Sequence, residues 1–452
     1  MDFLKDVATP QSLEHYHLLL FVLNVLLIVY VPYLAFLLGS AAVSYTMERR
    51  YRKSGSAFHR KAAGEVITTA FEEPKAVVFM AVVPSLALLF VFAQLMQGTP
   101  AISVGLLALS SLCLVAAAGF LQAYRFTFRM RDILEAVDSS KTKEGFDASE
   151  AVLANSRRQK TTGRFGLFLL ALAAYFLAAA ISLAANPDDW AAVDGLLALT
   201  LSADVLAKFL QVLAIAAGVT GAGILFYLDR SGAGEEYRLF LRRLGTRLSV
   251  LSIIALPLLV IAGIVLLPKT VLSGMLFGLG GASFVAFLLA GIFVYGVHKE
   301  PDKRFGAVAF FTFVIAVSCL MTGEQVAIHN ATKGQAVVLA LEYETVSEQF
   351  KASLGISTVS FTGEDIYNAR CSACHLREER KVGPPFKLVA QKYKGKHEAL
   401  VAFIRNPVKV DPTYPPMPNQ GLRPSEVDSI AGYLLRTFSS APSPAGEGQK
   451  TK

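Results

Sequence analysis

Eight long apolar runs punctuate the sequence, at about 17–44, 76–96, 101–123, 165–185, 205–228, 248–267, 271–297 and 305–322. Each is close to the roughly 20 residues that a helix needs to cross a bilayer, so the first 322 residues read as an all-α, polytopic membrane bundle. Charged residues make up only 17% of the 452-residue chain, below the roughly 25% of a soluble domain, while hydrophobic residues make up 54%. The formal net charge of +8 lies in short segments between the runs and forms no stripe, which excludes nucleic-acid binding. Pro32, Pro84 and Pro257 predict kinks. The glycines of the seventh run (Gly274, Gly278, Gly280, Gly281) predict close helix contact.

Orientation follows from charge. The segments 45–75, 125–164, 229–247 and 298–304 hold 24 Lys and Arg, whereas the alternate segments hold only Lys5 and Lys269. By the positive-inside rule the first set is cytoplasmic and both termini lie outside. Tyr16 and Trp190 fall where interfacial aromatics are expected. The first run is too long for a signal-peptide core and no small-residue cleavage site follows it, so it reads as a retained helix. Beyond the bundle (1–322), residues 323–360 read as a polar linker with an amphipathic stretch at 336–354. Residues 361–438 read as a small helical domain, and 439–452 as a disordered tail.

Chemistry concentrates in that small domain. Cys113 and Cys319 sit in apolar runs and act as small hydrophobes, but Cys371-Ser-Ala-Cys374-His375 is a C-x-x-C-H, the attachment signature of c-type haem. Two thiols one turn apart can each form a thioether, and the adjacent histidine can meet the iron. A structural zinc site needs two further ligands and only His397 is near. A thioredoxin-like redox pair would want a βαβ context, which this stretch lacks. The domain's single methionine, Met417, stands in Tyr414-Pro-Pro-Met417-Pro and is the candidate sixth ligand, with His397 as the other option. Val382-Gly383-Pro384-Pro385-Phe386 reads as a tight turn, and Pro424–Phe438 as a closing helix with Val427, Ile430, Leu434 and Leu435 at helical spacing.

With Gly363 and Tyr367 before the motif and Tyr433 in the closing helix, residues 361–438 resemble a class I cytochrome c. The resemblance implies one-electron transfer through one covalent haem c. It also implies that a proline carbonyl, from Pro384 or Pro385, orients His375. The domain carries 12 Lys and Arg against 8 Asp and Glu. This balance fits either an ordinary solvated surface or a face that steers an acidic redox partner.

The bundle is far larger than an anchor. His15 and His17 at the start of the first helix, opposite His329 after the eighth, could ligate a b haem on the outer side, with Met321 a weaker ligand and His298 an inner candidate. A stacked bilayer-spanning haem pair is excluded because no histidine stands mid-helix. Asp204, Lys208 and Gln211, at i, i+4 and i+7, share one helix face. They read either as a quinol pocket or as an intrahelical Asp–Lys pair. The first two helices, from His15-Tyr-His17 through Arg49-Arg50 and Phe58–Thr69, resemble the start of the large subunit of bd-type quinol oxidases. The later histidine and methionine ligands of that family find no clear counterpart. Three functions stay open. The first is a membrane cytochrome relaying electrons between the quinol pool, or a membrane redox partner, and a periplasmic acceptor. The second is a quinol-oxidising subunit with its own b haem. The third is a haem-free bundle docking the cytochrome domain onto a larger respiratory complex.

Overall fold

The computed structural model describes residues 10–138, 143–191, 202–227, 234–299, 303–354 and 361–438. Every regular element among them is helical, and the chain divides into two compact units at Val337/Val338. The tail expected from 439 onward lies outside the described residues.

Eight helices are long and apolar enough to span a bilayer, one for each run read in the sequence. They are α1 (Leu13–Ser54), α3 (Pro74–Leu95), α4 (Ser103–Asp138), α5 (Lys143–Ala184), α6 (Ala203–Phe226), α7 (Glu235–Leu266), α8 (Gly274–Lys299) and α9 (Lys303–Ser353). A short amphipathic helix, α2 (Ala57–Phe71), follows α1. Its Ala62, Ala63, Val66, Ile67 and Ala70 recur at helical spacing and are buried. Ser12 caps α1 by accepting from His15 N at 3.2 Å, and Gly55 ends it in the left-handed conformation at φ +66°.

Pro32 and Pro257 lie inside continuous helices, whereas Pro84 follows a π turn at Val78–Val82. Pro84 has no N–H to give to the preceding turn, and the wider turn shifts the hydrogen-bond register just ahead of it. The close crossings lie elsewhere than the sequence suggests. A side chain added at Gly278, Gly274 or Gly281 of α8 would meet nothing within 4 Å, and only Gly280 there approaches Ile264. The tight contact is instead between α6 and α7, where a Cβ at Gly221 would stand 2.7 Å from Ser249 N and 2.8 Å from Gly245 O. Gly39 of α1 likewise leaves room only for Ala216 and Thr220 of α6. These small residues let backbones touch where lipid offers no hydrophobic drive between helices.

α9 continues without a break past the last apolar run, so the stretch read as a linker opens inside a helix. Met321, Glu324, Val326, Ala327 and Ile328 are buried, and it is this packing that carries the helix through Gly323.

The second unit builds its own core. It contains α10 (Gly363–Ile366), which continues as a π turn over Tyr367–Cys371, then α11 (Phe386–Lys392), α12 (His397–Arg405) and α13 (Pro424–Phe438). Ile366, Phe386, Leu400, Ile404, Val427, Ile430 and Leu434 form one buried cluster.

Candidate functional site

The entrance to the haem motif is fixed by a reciprocal cap. Thr362 Oγ1 accepts from Asp365 N at 3.2 Å, while Asp365 Oδ2 accepts from Thr362 N at 2.9 Å. The Thr362 hydroxyl, 2.6 Å from Asp365 Oδ2, and then the Thr362 N–H hold the exposed Asp365 carboxyl below its ordinary range. Gly363 then lies so close to Ser429 and Tyr433 of α13 that any side chain there would collide with them. The first and last helices of the unit cross at this glycine.

The motif itself is a turn. His375 N donates to Cys371 O at 3.0 Å, and both Val382 N (3.1 Å) and Gly383 N (2.8 Å) donate to Cys374 O. The loop after the motif therefore folds back against it. His375 Nδ1 lies 2.8 Å from Pro384 O. A carbonyl can only accept, so the proton belongs to Nδ1 and the lone pair is left on Nε2. The resemblance offered Pro384 or Pro385 for this carbonyl, and the geometry selects Pro384. Phe386 stacks on the imidazole at 4.7 Å with 26° between planes. A side chain at Gly383 would run into the same ring. His375 is thus held in one tautomer and one orientation before it binds anything.

Cys371, Cys374, His375 and Met417 line a single cavity of about 350 Å³, together with Pro384, Tyr414 and apolar residues of α11, α12 and α13. That volume and lining are those of a site for an organic cofactor. The Met417 loop is tied down on both sides. Arg380 donates to Thr413 O at 2.8 Å and lies over the Tyr414 ring at 4.6 Å, and Asn419 Nδ2 donates to Arg405 O at 3.2 Å. Met417 lines the cavity, whereas His397 does not, and the His397 Nε2 is 2.7 Å from Asp428 Oδ1. Neither cysteine is in a disulfide. Burial, with a smaller contribution from Cys374, pushes the Cys371 thiol up to about 11. A redox-active C-x-x-C has a lowered thiol instead, so this environment does not suit a dithiol oxidoreductase.

The membrane residues singled out in the sequence are brought together only in part. Tyr16 OH lies 3.0 Å from His329 Nδ1 and 3.0 Å from Thr332 Oγ1, and its ring stands between His17 (5.7 Å) and His329 (5.9 Å). His15 and His17 are exposed. Asp204 Oδ2 accepts from Ser182 Oγ at 2.7 Å, and Asp204 also takes a bond from Ser202. Lys208 pairs with Glu324 of α9, with both side chains nearly buried. The intrahelical Asp204–Lys208 pair is therefore not the arrangement formed, because each residue has a partner on another segment. Glu324 was missed because it follows directly on the last apolar run, in a stretch read as linker. A lone carboxylate one turn beyond such a run was the available signal. Among the described residues no group of three His, Cys, Asp or Glu is placed to hold a metal ion.

A helical unit with a C-x-x-C-H turn, a carbonyl-oriented histidine and a facing methionine in one cavity defines a c-type cytochrome domain, here following an eight-helix membrane bundle. The family described as cytochrome c oxidase, cbb3-type, subunit III matches residues 361–434. The chain is 30% identical over 89 residues to cytochrome c-552 of Hydrogenobacter thermophilus, 19% of this chain and 90% of that protein. It is 34% identical over 79 residues to cytochrome c-551 of Pseudomonas denitrificans, 16% of this chain and 95% of that protein. Through this domain the chain belongs to the class I cytochrome c family, carries covalent haem c and transfers electrons. The resemblance of the first helices to bd-type oxidases gains no support from these matches.

Proposed function

We propose that the chain relays single electrons between a membrane donor, the quinol pool or a membrane-bound redox protein, and an acceptor on the periplasmic side of a bacterial inner membrane. In this reading Cys371 and Cys374 would hold haem c through thioether bonds, and His375 and Met417 would offer a nitrogen and a sulfur to its iron. The observation that supports it best is the single cavity that gathers both thiols, the imidazole with its free Nε2 and the methionine. When bound, haem c supplies a one-electron couple without making or breaking bonds. The Pro384 carbonyl, by accepting the hydrogen bond from Nδ1–H, would raise the basicity of the imidazole toward iron, and the Met417 thioether would favour the reduced state and raise the potential. The count of 24 basic residues against 2 supports a periplasmic placement of both termini, the side where haem c is attached.

A bundle of eight spans also supports assembly into a larger respiratory complex, and the matching family is described as an oxidase subunit. The Ser182, Asp204, Lys208, Gln211 and Glu324 cluster favours a second role for the bundle, as a quinol-binding unit, because buried ionisable groups in a bilayer are costly. Purified full-length chain tests both readings. A pyridine haemochrome should show haem c that survives acid-acetone extraction, and a colourless chain would end the proposal. Quinol-driven reduction should slow several-fold in Lys208→Gln if the cluster binds quinol. Unchanged rates would leave a membrane protein donor as the source.

A further inference from the structure

A second cavity, of about 840 Å³, opens between α2 and α4, at the end of the bundle where α1 finishes. It is lined by five basic side chains, Arg60, Lys61, Arg125, Arg129 and Arg131, against the carboxylates of Glu65 and Asp132. Most of these charges are already matched. Arg60 pairs with Asp132 at 2.9 Å and with Glu135, Arg131 with Glu48 at 3.2 Å, and Lys61 with Glu65 at 3.7 Å. Arg125 and Arg129 are not. Arg125 donates only to neutral oxygens, Phe71 O at 2.9 Å and Gln122 Oε1 at 3.5 Å. Arg129 is exposed, and among the described residues no carboxylate pairs with either. Two like charges at i and i+4 on a helix repel each other unless an anion lies between them.

Depth in the membrane indicates which anion. From Ser103 to Tyr124, α4 runs 22 residues without Asp, Glu, Lys or Arg, about 33 Å of helix, which matches the roughly 30 Å hydrocarbon core. Arg125 is the next residue, so the pair stands where lipid phosphates begin. Phe126, 55% exposed, also lines the cavity and offers an apolar surface to an acyl chain beside the charged site.

We propose that this cavity binds the phosphodiester headgroup of an anionic phospholipid, with Arg125 and Arg129 holding the phosphate, Thr68 at its margin and the acyl chain along Phe126. The proposal needs the bundle in a bilayer but not the redox reading. The test uses full-length chain in neutral detergent, titrated with short-chain phosphatidylglycerol, short-chain phosphatidylcholine or inorganic phosphate, with binding read by native mass spectrometry. Phosphatidylglycerol should bind well ahead of phosphatidylcholine, and inorganic phosphate should not displace it at equal concentration. Arg125→Gln with Arg129→Gln should weaken binding by about thirtyfold, from the usual contribution of a basic residue at a lipid surface. Arg157→Gln, outside the cavity, should leave it unchanged. If the double variant fails to accumulate, the exposed Arg129→Gln alone should still weaken binding about fivefold. Equal binding by wild type and the Arg129 variant, or full displacement by inorganic phosphate, would overturn the proposal.

Discussion

At His375 three contacts converge, from Pro384, Gly383 and Phe386, and each constrains a different degree of freedom. The carbonyl sets the tautomer, the missing Cβ lets the loop lie against the ring, and the stacked phenyl fixes the plane. Gly383→Val should displace the imidazole and cut the yield of haem-loaded protein severely, as measured by haem per polypeptide. Met417→Ala should preserve covalent haem while abolishing the weak sulfur-to-iron absorption at long wavelength and lowering the midpoint potential. Persistence of that band would show that another ligand stands opposite His375. The thiols make a prediction about pH. With Cys371 raised to about 11, only about one thiol in a thousand is ionised at pH 8. In chain produced without haem attachment, alkylation of Cys371 should be slow at pH 8 and accelerate as pH approaches 11, because the thiolate is the reactive form. Fast alkylation at pH 7 would instead indicate a redox-type pair. The motif was legible in the sequence because covalent attachment fixes its spacing, and the closing helix because its apolar residues recur at helical spacing. Which of two adjacent prolines faces the histidine was not, since that depends on how the loop 376–383 folds back.

Between elements, the sequence announces spans far better than it announces their partners. All eight helices are visible as runs because bilayer thickness sets a length that composition alone reveals. Pairing depends on which glycine meets which backbone, and both α8 and the Gly218–Gly223 stretch of α6 are glycine-rich, yet it is Gly221 of α6 with Gly245 of α7 that makes the backbone crossing. A matched pair of variants checks this. Gly221→Leu should force α6 from α7 and sharply reduce folded protein on size exclusion. Gly278→Ala should be neutral or slightly stabilising in a thermal melt, because the added methyl meets nothing and helix propensity rises. The Lys208–Glu324 pair joins α6 to α9 in the same way. Lys208→Ala leaves a buried carboxylate unmatched, at a cost of about 3–5 kcal/mol, whereas Lys208→Met with Glu324→Gln removes both charges and should recover most of the loss. If the double variant recovers stability but not quinol-driven reduction, the pair serves binding as well as packing.

For the whole molecule, the decisive quantities are the side on which each end lies and the number of haems. The basic residues lie almost wholly in alternate segments, and reversing the bundle would carry 24 positive charges across the membrane instead of 2. Alkaline phosphatase fused after Phe438 should therefore be active, and the same reporter placed between 139 and 142 should be silent, with a fluorescent reporter giving the opposite pattern. The Tyr16 hydroxyl engages only Nδ1 of His329, at 3.0 Å, so Nε2 stays free and the missing element of a b-haem site is a second ligand. An exposed His15 or His17 would have to turn inward past the Tyr16 ring to supply it. The expected haemochrome of the isolated chain is therefore haem c at one per polypeptide with no b component, and Tyr16→Phe should lower thermal stability without altering the haem spectrum. An equimolar b signal that vanishes in His329→Ala would show instead that the bundle holds a haem of its own.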